Sequence, residues 1–399
     1  MANLTTTAPG PPRARRRLLR CTVAAAVAAA TAGLAGCGSS ASSSPPGSAG
    51  QAAGGPKSTG RRLPARGDVY FADAPGALSP RVRGALSRIY VPNSGSDTVD
   101  VIDPARMRIV GHFPVGALPQ HVTPSWDLRT LYVDNDQGNS LTPIDPRTAK
   151  PRGPPIPVAD PYNLYFTVDG RYAIVVAERL ARLDFRDAHT MALRHSLPVP
   201  GCRGVDHIDF SASGRRLYAS CEFAGRMIMV DVPHQRLVRT LTLGRGVSSP
   251  QDVKLSPDGR LLYVADQAAG GVWLIGTRDF RVRRFLRTGA GAHGLYPSRD
   301  ARRLFVSNRA EGSISVISFA RRRVIAKWRI PPPASPDMGG ISADGRTLWL
   351  SGRYNAEVYA IDTSTGRLRA RIKVGEGPHG LAVWPQPGRF SLGHTGILR

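Results

Sequence analysis

The 399-residue chain has almost no lysine and few acidic residues. Only five of its 54 basic residues are lysine and the other 49 are arginine, against 29 aspartates and glutamates, which leaves a formal charge of +25. Such a charge favours anionic partners. However, heavy use of arginine, alanine, glycine and proline is also what a GC-rich coding genome produces, so the charge alone does not indicate nucleic-acid binding.

Uninterrupted helix-forming stretches are also missing. Glycine and proline number 43 and 34, and because both break helices, a long coiled coil or a mostly helical bundle is excluded. The hydrophobic share of 41% is enough for a core, which excludes wholesale disorder. No P-loop lysine precedes a helix, and no Gly-x-Ser-x-Gly nucleophile elbow occurs. The corresponding nucleotide-binding and hydrolase classes are therefore not indicated.

The first 36 residues have the order of an export signal. Five arginines in Arg13–Arg20 precede an apolar run, Thr22–Ala35, which at 14 residues is too short to span a bilayer. The run ends in Leu34-Ala35-Gly36-Cys37, which resembles a bacterial lipobox. We therefore expect residues 1–36 to be a lipoprotein signal peptide and Cys37 to carry lipid, with the Sec and twin-arginine export routes both left open.

Residues 38–67 are rich in glycine, serine and proline and contain no acidic residue. This composition predicts a flexible linker that holds the folded part off the membrane. Lipid on Cys37 together with nearby basic residues would give the two signals that stable anchoring needs. We expect a protein anchored on the extracytoplasmic face of the cell membrane, with residues 68–399 as its folded domain.

Two of the four cysteines remain for the folded domain, because Cys21 would leave with the signal peptide and Cys37 would be lipidated. Cys202 and Cys221 flank a predicted hairpin in an oxidising compartment, where disulfides persist. We predict a disulfide between them, and a redox or metal-binding thiol pair is the alternative.

A repeat organises the chain after residue 85. Each copy has a turn that ends in arginine, then an apolar triplet with a mostly aromatic centre, a small polar loop and an apolar stretch that often ends in aspartate. The triplet centres are spaced by 42, 41, 45, 45, 42 and 44 residues and are Tyr90, Tyr132, Ala173, Tyr218, Tyr263, Phe305 and Trp349. Seven copies at this period are typical of a β-propeller with four strands per blade.

The phase of the repeat predicts how the ring closes. The first copy begins at a second strand, at Ile89, and the last ends with an unmatched first strand, Gly380–Val383. We therefore expect a seven-bladed β-propeller of four-stranded antiparallel blades, closed by pairing of the N- and C-terminal strands, which removes open edges. The last ten residues, Phe390–Arg399, fall outside the repeat, and the pattern assigns them no place.

The copies resemble the YVTN-repeat β-propeller family, which includes the YncE-like proteins. The resemblance rests on Ile89-Tyr90-Val91-Pro92-Asn93, on turns such as Ser256-Pro257-Asp258-Gly259-Arg260, and on strand ends such as Val99–Asp103. It covers residues 85–388, about three-quarters of the chain. It implies the fold but not the activity, because such propellers host unrelated functions.

The candidate site lies where the first strand of each blade enters the central channel. The two residues at each entrance contain four of the nine histidines. Second-strand ends, Glu178 and Glu222 among them, should face the same side. The candidate binding residues are Gln120, His121, Tyr162, Asn163, Asp206, His207, Gln251, Asp252, His293, Asp337 and His379.

We expect the face around this entrance to bind a small molecule, a wall polymer or a partner protein, with no cofactor and no assigned catalytic residue. One alternative is a propeller enzyme, such as a lactonase-like hydrolase, or a metal- or haem-linked extracytoplasmic factor. In that case His121, His207, His293 and His379 are the candidate transition-metal ligands. A second alternative is a single-stranded nucleic-acid binder, for which channel aromatics and arginines would provide stacking.

Overall fold

The computed structural model describes Pro64, residues 67–394 and residues 398–399. Within these residues, 29 β-strands form seven antiparallel sheets, with short 3-10 helices at Phe71–Asp73, Pro80–Val82 and Glu222–Ala224. No helix in this part of the chain is long and apolar enough to cross a membrane. The predicted signal peptide, Cys37 and nearly all of the linker lie outside the described residues.

Each sheet is one blade of a seven-bladed β-propeller, as predicted, and neighbouring strands are hydrogen-bonded in order from the channel outward. The outer strand of blade 2 is split in two. The strands of each blade are given from the innermost to the outermost: blade 1 has β29 (Ala382–Trp384), β1 (Arg88–Asn93), β2 (Thr98–Asp103) and β3 (Arg108–Pro114), and blade 2 has β4 (Pro119–Pro124), β5 (Leu131–Asn135), β6 (Ser140–Asp145) and the two halves of its outer strand, β7 (Lys150–Pro151) and β8 (Ile156–Pro157). Blade 3 has β9 (Asn163–Phe166), β10 (Tyr172–Ala177), β11 (Arg182–Asp187) and β12 (Leu193–Pro198); blade 4 has β13 (Val205–Phe210), β14 (Arg216–Cys221), β15 (Arg226–Asp231) and β16 (Arg236–Thr242); blade 5 has β17 (Pro250–Leu255), β18 (Leu261–Asp266), β19 (Gly271–Gly276) and β20 (Val282–Arg287). Blade 6 has β21 (Ala292–Pro297), β22 (Arg303–Asn308), β23 (Ser313–Ser318) and β24 (Arg323–Arg329), and blade 7 has β25 (Pro336–Ile341), β26 (Thr347–Gly352), β27 (Glu357–Asp362) and β28 (Leu368–Lys373).

The ring closes as the repeat phase predicts. The C-terminal strand β29 pairs antiparallel with β1, so that Val383 lies opposite Ile89 and Ala382 opposite Tyr90. This pairing gives blade 1 its inner strand and leaves no inner edge exposed.

The repeated aromatic residues form the core between blades. Tyr90, Tyr132, Tyr218, Tyr263, Phe305 and Trp349 are each 8% exposed or less. The structure corrects one register: Ile174, and not Ala173, is the equivalent of Tyr263 in blade 3. The reason is the turn before it, where Thr167 accepts from the Tyr172 amide at 3.0 Å just as Ser256 accepts from the Leu261 amide at 2.9 Å.

The turn joining the first and second strands of a blade is built by its own side chains. In blade 5, the Ser256 hydroxyl donates to Asp258 at 2.5 Å, and Asp258 accepts from the Arg260 amide at 3.1 Å. Gly259 takes a φ of +70°, which favours glycine. We call the face that carries these turns, and the turns between third and fourth strands, the turn face; the opposite face, where first strands enter the channel, is the entrance face.

The segment before β1 lies under the turn face. The Val69 amide donates to the Pro257 carbonyl at 2.9 Å, and the buried Tyr70 hydroxyl donates to the Leu255 carbonyl at 2.6 Å. Residues 67–86 therefore cover part of the channel at the turn face.

The described residues of the C-terminal tail pack against the inner strands of the propeller. The Ser391 amide donates to the Trp126 carbonyl at 3.2 Å, and fully buried Leu392 accepts from the Phe166 amide at 3.0 Å. The Arg399 guanidinium donates to Asp209 at 3.1 Å inside the channel. The tail thus occupies the turn-face end of the channel.

The predicted disulfide is confirmed. Cys202 and Cys221 are bonded, with their Cα atoms 4.8 Å apart. The bond ties the loop before β13 to the end of β14, which is the hairpin that the spacing indicated.

Candidate functional site

The first strands place two stacked layers of side chains in the channel. The layer nearer the entrance face contains Gln120, Tyr162, Asp206, Gln251, His293, Asp337 and His379. The next layer contains His121, Asn163, His207, Asp252, Gly294, Met338 and Gly380. All eleven candidate residues predicted from the sequence are in these layers, and each is 8% exposed or less.

The four candidate histidines meet around the channel axis, and a fifth joins them. The His121 ring centroid lies 4.8 Å from that of His379 and 5.5 Å from that of His207. His293 lies 6.0 Å from His379 and 6.3 Å from His207. The fifth, His394, lies 4.0 Å from His121 and 5.9 Å from His207.

His394 reaches the cluster from the opposite end of the channel, on the C-terminal tail. Room for it exists because position 380 is glycine: a Cβ there would lie 2.0 Å from His121 Cδ2 and 2.7 Å from His394 Cε1. The repeat pattern could not locate this histidine, because residues 390–399 belong to no repeat. The only signal in the sequence is a histidine among small residues, ten positions after the last strand.

His121 is held in one tautomer. Its Nδ1 lies 2.7 Å from the Tyr162 carbonyl oxygen, and since a carbonyl only accepts, Nδ1 carries the proton and donates. Its Nε2 is then a lone-pair atom, and it is buried with no hydrogen-bond partner among the described residues. Burial, and then the neighbouring His207, lower the pKa of His121 well below its usual value, so the ring is neutral at pH 7.

His207 is oriented by a carboxylate. Its Nδ1 lies 2.6 Å from Asp206 Oδ1, and both side chains are fully buried. Burial alone would lower the pKa of His207, but the Asp206 carboxylate outweighs it and the pKa is raised. Both ring nitrogens of His207 are buried, and neither makes a well-oriented hydrogen bond within the described residues, so that Nδ1 is held by the ion pair and Nε2 has no partner there.

His121 and His207 share a feature of metal-binding histidines. In metal sites, the ring nitrogen that does not bind the metal usually donates to a backbone carbonyl or a carboxylate; Nδ1 of His121 donates to a carbonyl, and Nδ1 of His207 lies at ion-pair distance from a carboxylate. One nitrogen from each of the rings of His121, His207 and His394 lies within 4.8 Å of the others. This is wider than the ~3.3 Å between nitrogens in a tetrahedral zinc site, so the rings would draw inward around a metal ion.

A second group, His293, Asp337 and His379, also brings three ligand atoms within 4.8 Å. Its carboxylate is already engaged, because Asp337 lies 3.1 Å from Arg309 Nη1 and 4.0 Å from Arg353 Nε. His293 Nδ1 and His379 Nε2 lie 3.2 and 3.6 Å from the same carboxylate. Two guanidinium groups compete with any cation there, so this group fits a metal less well than the first.

Three further candidates have local structural partners. Asp252 accepts from Lys254 at 2.8 Å and from the Leu295 amide at 2.9 Å. Asn163 donates to the Tyr165 hydroxyl at 3.1 Å, and Gln251 donates to Ser249. The contact from Leu295 to Asp252 joins two neighbouring inner strands, and the others lie within one strand or the loop before it; none of them needs a ligand.

Acidic side chains lie beside the entrance layer on blades 3 and 4. Burial, with Asp206 and Glu222 nearby, raises the pKa of Glu178 to about 9. The pKa of Glu222 is raised for the same reasons, burial first and then Asp206. On the far side stand Arg309 and Arg353, which occupy the same position after the second strand as Glu178 and Glu222 but which the sequence analysis did not single out. The mouth is thus acidic on one side and basic on the other.

Comparison with known proteins identifies the fold. A family model described as YNCE-like beta-propeller matches residues 72–387, whereas no curated protein matches the chain. Similar solved structures include the periplasmic gluconolactonase of Pseudomonas aeruginosa, at 21% identity and a TM-score of 0.61 over 74% of this chain and 98% of that one. Hydrazine synthase of Kuenenia stuttgartiensis has 18% identity and a TM-score of 0.60 over 78% and 99% of the two chains. At these identities the likeness shows the fold alone.

Proposed function

The chain belongs to the YNCE-like β-propeller family, and we propose that it is an extracytoplasmic binding propeller whose ligand is a divalent transition-metal ion. The ion would be held by His121, His207 and His394. This proposal takes up the metal-linked alternative of the sequence and adds the histidine of the tail.

One observation carries the proposal: His121 and His207 present buried Nε2 atoms with no hydrogen-bond partner among the described residues. Nδ1 of His121 donates to the Tyr162 carbonyl, and Nδ1 of His207 lies at ion-pair distance from Asp206. A buried polar atom without a partner costs free energy, about 1–3 kcal/mol, and a metal ion bound by the Nε2 atoms would remove that cost. Imidazole suits zinc, copper, iron and nickel. Binding also requires neutral rings, and the lowered pKa values of His121 and His394 favour this, whereas the raised pKa of His207 means that a metal ion would have to displace a proton from that ring.

Binding without chemistry fits the surroundings of the cluster. The five histidines are each 2% exposed or less, whereas catalytic metal sites keep a position open to water and substrate. The lactonase-like alternative would need such a position. The lactonase-like activity is therefore the second hypothesis, and an assay of lactone hydrolysis with the metal-loaded protein tests it.

We also propose that Cys37 is lipidated and that the protein is anchored on the extracytoplasmic face of the membrane. The order of basic segment, apolar run and lipobox-like tetrapeptide supports this anchor. Labelling with a radioactive fatty acid tests it, because Cys37→Ser should abolish incorporation. Incorporation that persists in this variant would contradict the anchor.

Metal content tests the binding proposal. Residues 38–399 would be purified without a histidine tag or chelator and measured by mass spectrometry. We expect about one equivalent of one transition metal, lost in His121→Ala and His207→Ala. The exposed His189 provides the matched control, and His189→Ala should keep the metal.

A further variant separates the two ligand groups. His293→Ala removes a ring of the second group, so the metal should be retained. Loss of metal in this variant would indicate that the metal binds to the second group, which contains Asp337. Folded protein that contains no metal and takes up no zinc, copper or nickel on titration would overturn the proposal.

A further inference from the structure

Every turn between first and second strands in blades 2 to 7 contains an exposed arginine. The turn geometry explains the exposure, since the hydroxyl and carboxylate side chains bind the backbone of the turn and leave the arginine pointing outward. These residues are Arg129, Arg171, Arg215, Arg260, Arg302 and Arg346.

Exposed arginines form one group on the turn face at blades 4 to 6, and a second group, Arg81, Arg83, Arg129, Arg147 and Arg152, lies around blade 2. The turns between third and fourth strands in blades 5 and 6 add four exposed residues, Arg278, Arg281, Arg321 and Arg322, and Arg323 at the start of β24 adds a fifth. With Arg215, Arg260 and Arg302 of the neighbouring turns, they form what we call the arginine patch. The same turns contain three carboxylates, of which only Asp258 is exposed, while Asp279 and Asp300 are half-buried.

The chain enters the propeller beside this patch. Val69 is hydrogen-bonded to Pro257, in the turn that contains Arg260. Residues 38–67 before it contain Lys57, Arg61, Arg62 and Arg66 and no acidic residue. The linker predicted from this composition would span ~30 Å on average, so a lipid on Cys37 would keep the patch close to the bilayer.

We infer that the arginine patch docks on a bilayer surface that carries anionic phospholipid headgroups. Guanidinium groups bind phosphate in a bidentate manner, and each basic residue near an anionic membrane strengthens binding. Docking would turn the entrance face away from the membrane. The inference deepens the proposed anchorage, but it does not depend on the metal or on lipidation of Cys37.

Protein without a lipid anchor tests whether the arginine patch itself binds the membrane. Residues 38–399 are used, because the ring closes through β29 and needs no earlier residue to complete a blade. Co-sedimentation would compare vesicles of phosphatidylcholine with vesicles containing phosphatidylglycerol. We expect binding only to the anionic vesicles, and weaker binding as salt rises. Arg260→Gln, Arg302→Gln and Arg322→Gln together should weaken it ~100-fold, at about fivefold per residue.

A matched variant removes the same charge from the entrance side of the molecule. Arg226→Gln, Arg245→Gln and Arg287→Gln change exposed residues at the other end of the strands, and binding should fall by less than about threefold. Equal loss in the two variants would overturn the inference, because attraction would then follow net charge and not a face. No binding to anionic vesicles would also overturn it, as would tighter binding to single-stranded DNA, which would favour the nucleic-acid alternative.

Discussion

The change Gly380→Ala tests whether the histidine cluster is packed as described. The added Cβ would lie 2.0 Å from a carbon of His121 and 2.7 Å from a carbon of His394. The backbone cannot move aside easily, because the Gly380 amide donates to the Gln120 carbonyl at 2.9 Å and its carbonyl accepts from the Val122 amide at 3.0 Å. The two rings must therefore be displaced.

Overpacking of this kind destabilises a core by about 1–3 kcal/mol. We expect a loss of this size in the free energy of unfolding, measured by urea denaturation, together with weaker metal binding. Gly340→Ala is the matched control on the neighbouring inner strand, since its nearest contacts would be 3.1 Å to Gln386 and 3.3 Å to Val383, and it should cost less than about 1 kcal/mol. The reasoning is refuted if Gly380→Ala is as stable as the control and binds metal as tightly as the unchanged protein.

Three further predictions concern single features. Replacing Cys202 and Cys221 by serine opens a loop with a sequence separation of 19 and should cost about 3 kcal/mol in urea denaturation; a cost under about 1 kcal/mol would contradict it. Because the pKa of Glu178 is raised to about 9, the folded protein holds a proton that the unfolded chain releases near pH 4.5. Stability should then fall as pH rises between these values, by at most ~1.4 kcal/mol per unit, and Glu178→Gln should flatten that slope; an unchanged slope contradicts this. Asp206→Asn should weaken metal binding ~10–100-fold in chelator competition, whereas unchanged affinity would show that Asp206 does not orient His207.

The sequence was informative wherever the repeat places a residue. Spacing and phase predicted seven blades, closure by β29 and β1, and the channel position of His121 and His207, because each repeat fixes which residue of a first strand enters the channel. The Cys202–Cys221 disulfide followed from the same hairpin. The repeat failed by one position at Ala173, because blade 3 places an aliphatic residue where other blades have an aromatic one.

What the repeat does not contain could not be predicted from it. His394 enters the cluster on a tail whose path depends on tertiary contacts such as those of Leu392 and Arg399. Arg309 and Arg353 stand at the position that Glu178 and Glu222 have in blades 3 and 4, but the repeat does not show that side chains there reach Asp337. These contacts decide that Asp337 is paired with arginine whereas His121 and His207 are placed to bind a metal ion, and they are seen only in the folded structure.

The most direct test of the central claim is anomalous X-ray scattering from crystals of residues 38–399 grown with the metal found in the purified protein. Data collected at its absorption edge should show one strong peak in the channel, within bonding distance of the Nε2 atoms of His121 and His207 and of a ring nitrogen of His394. A channel with no peak, in which water molecules bind those same nitrogens, would contradict the account.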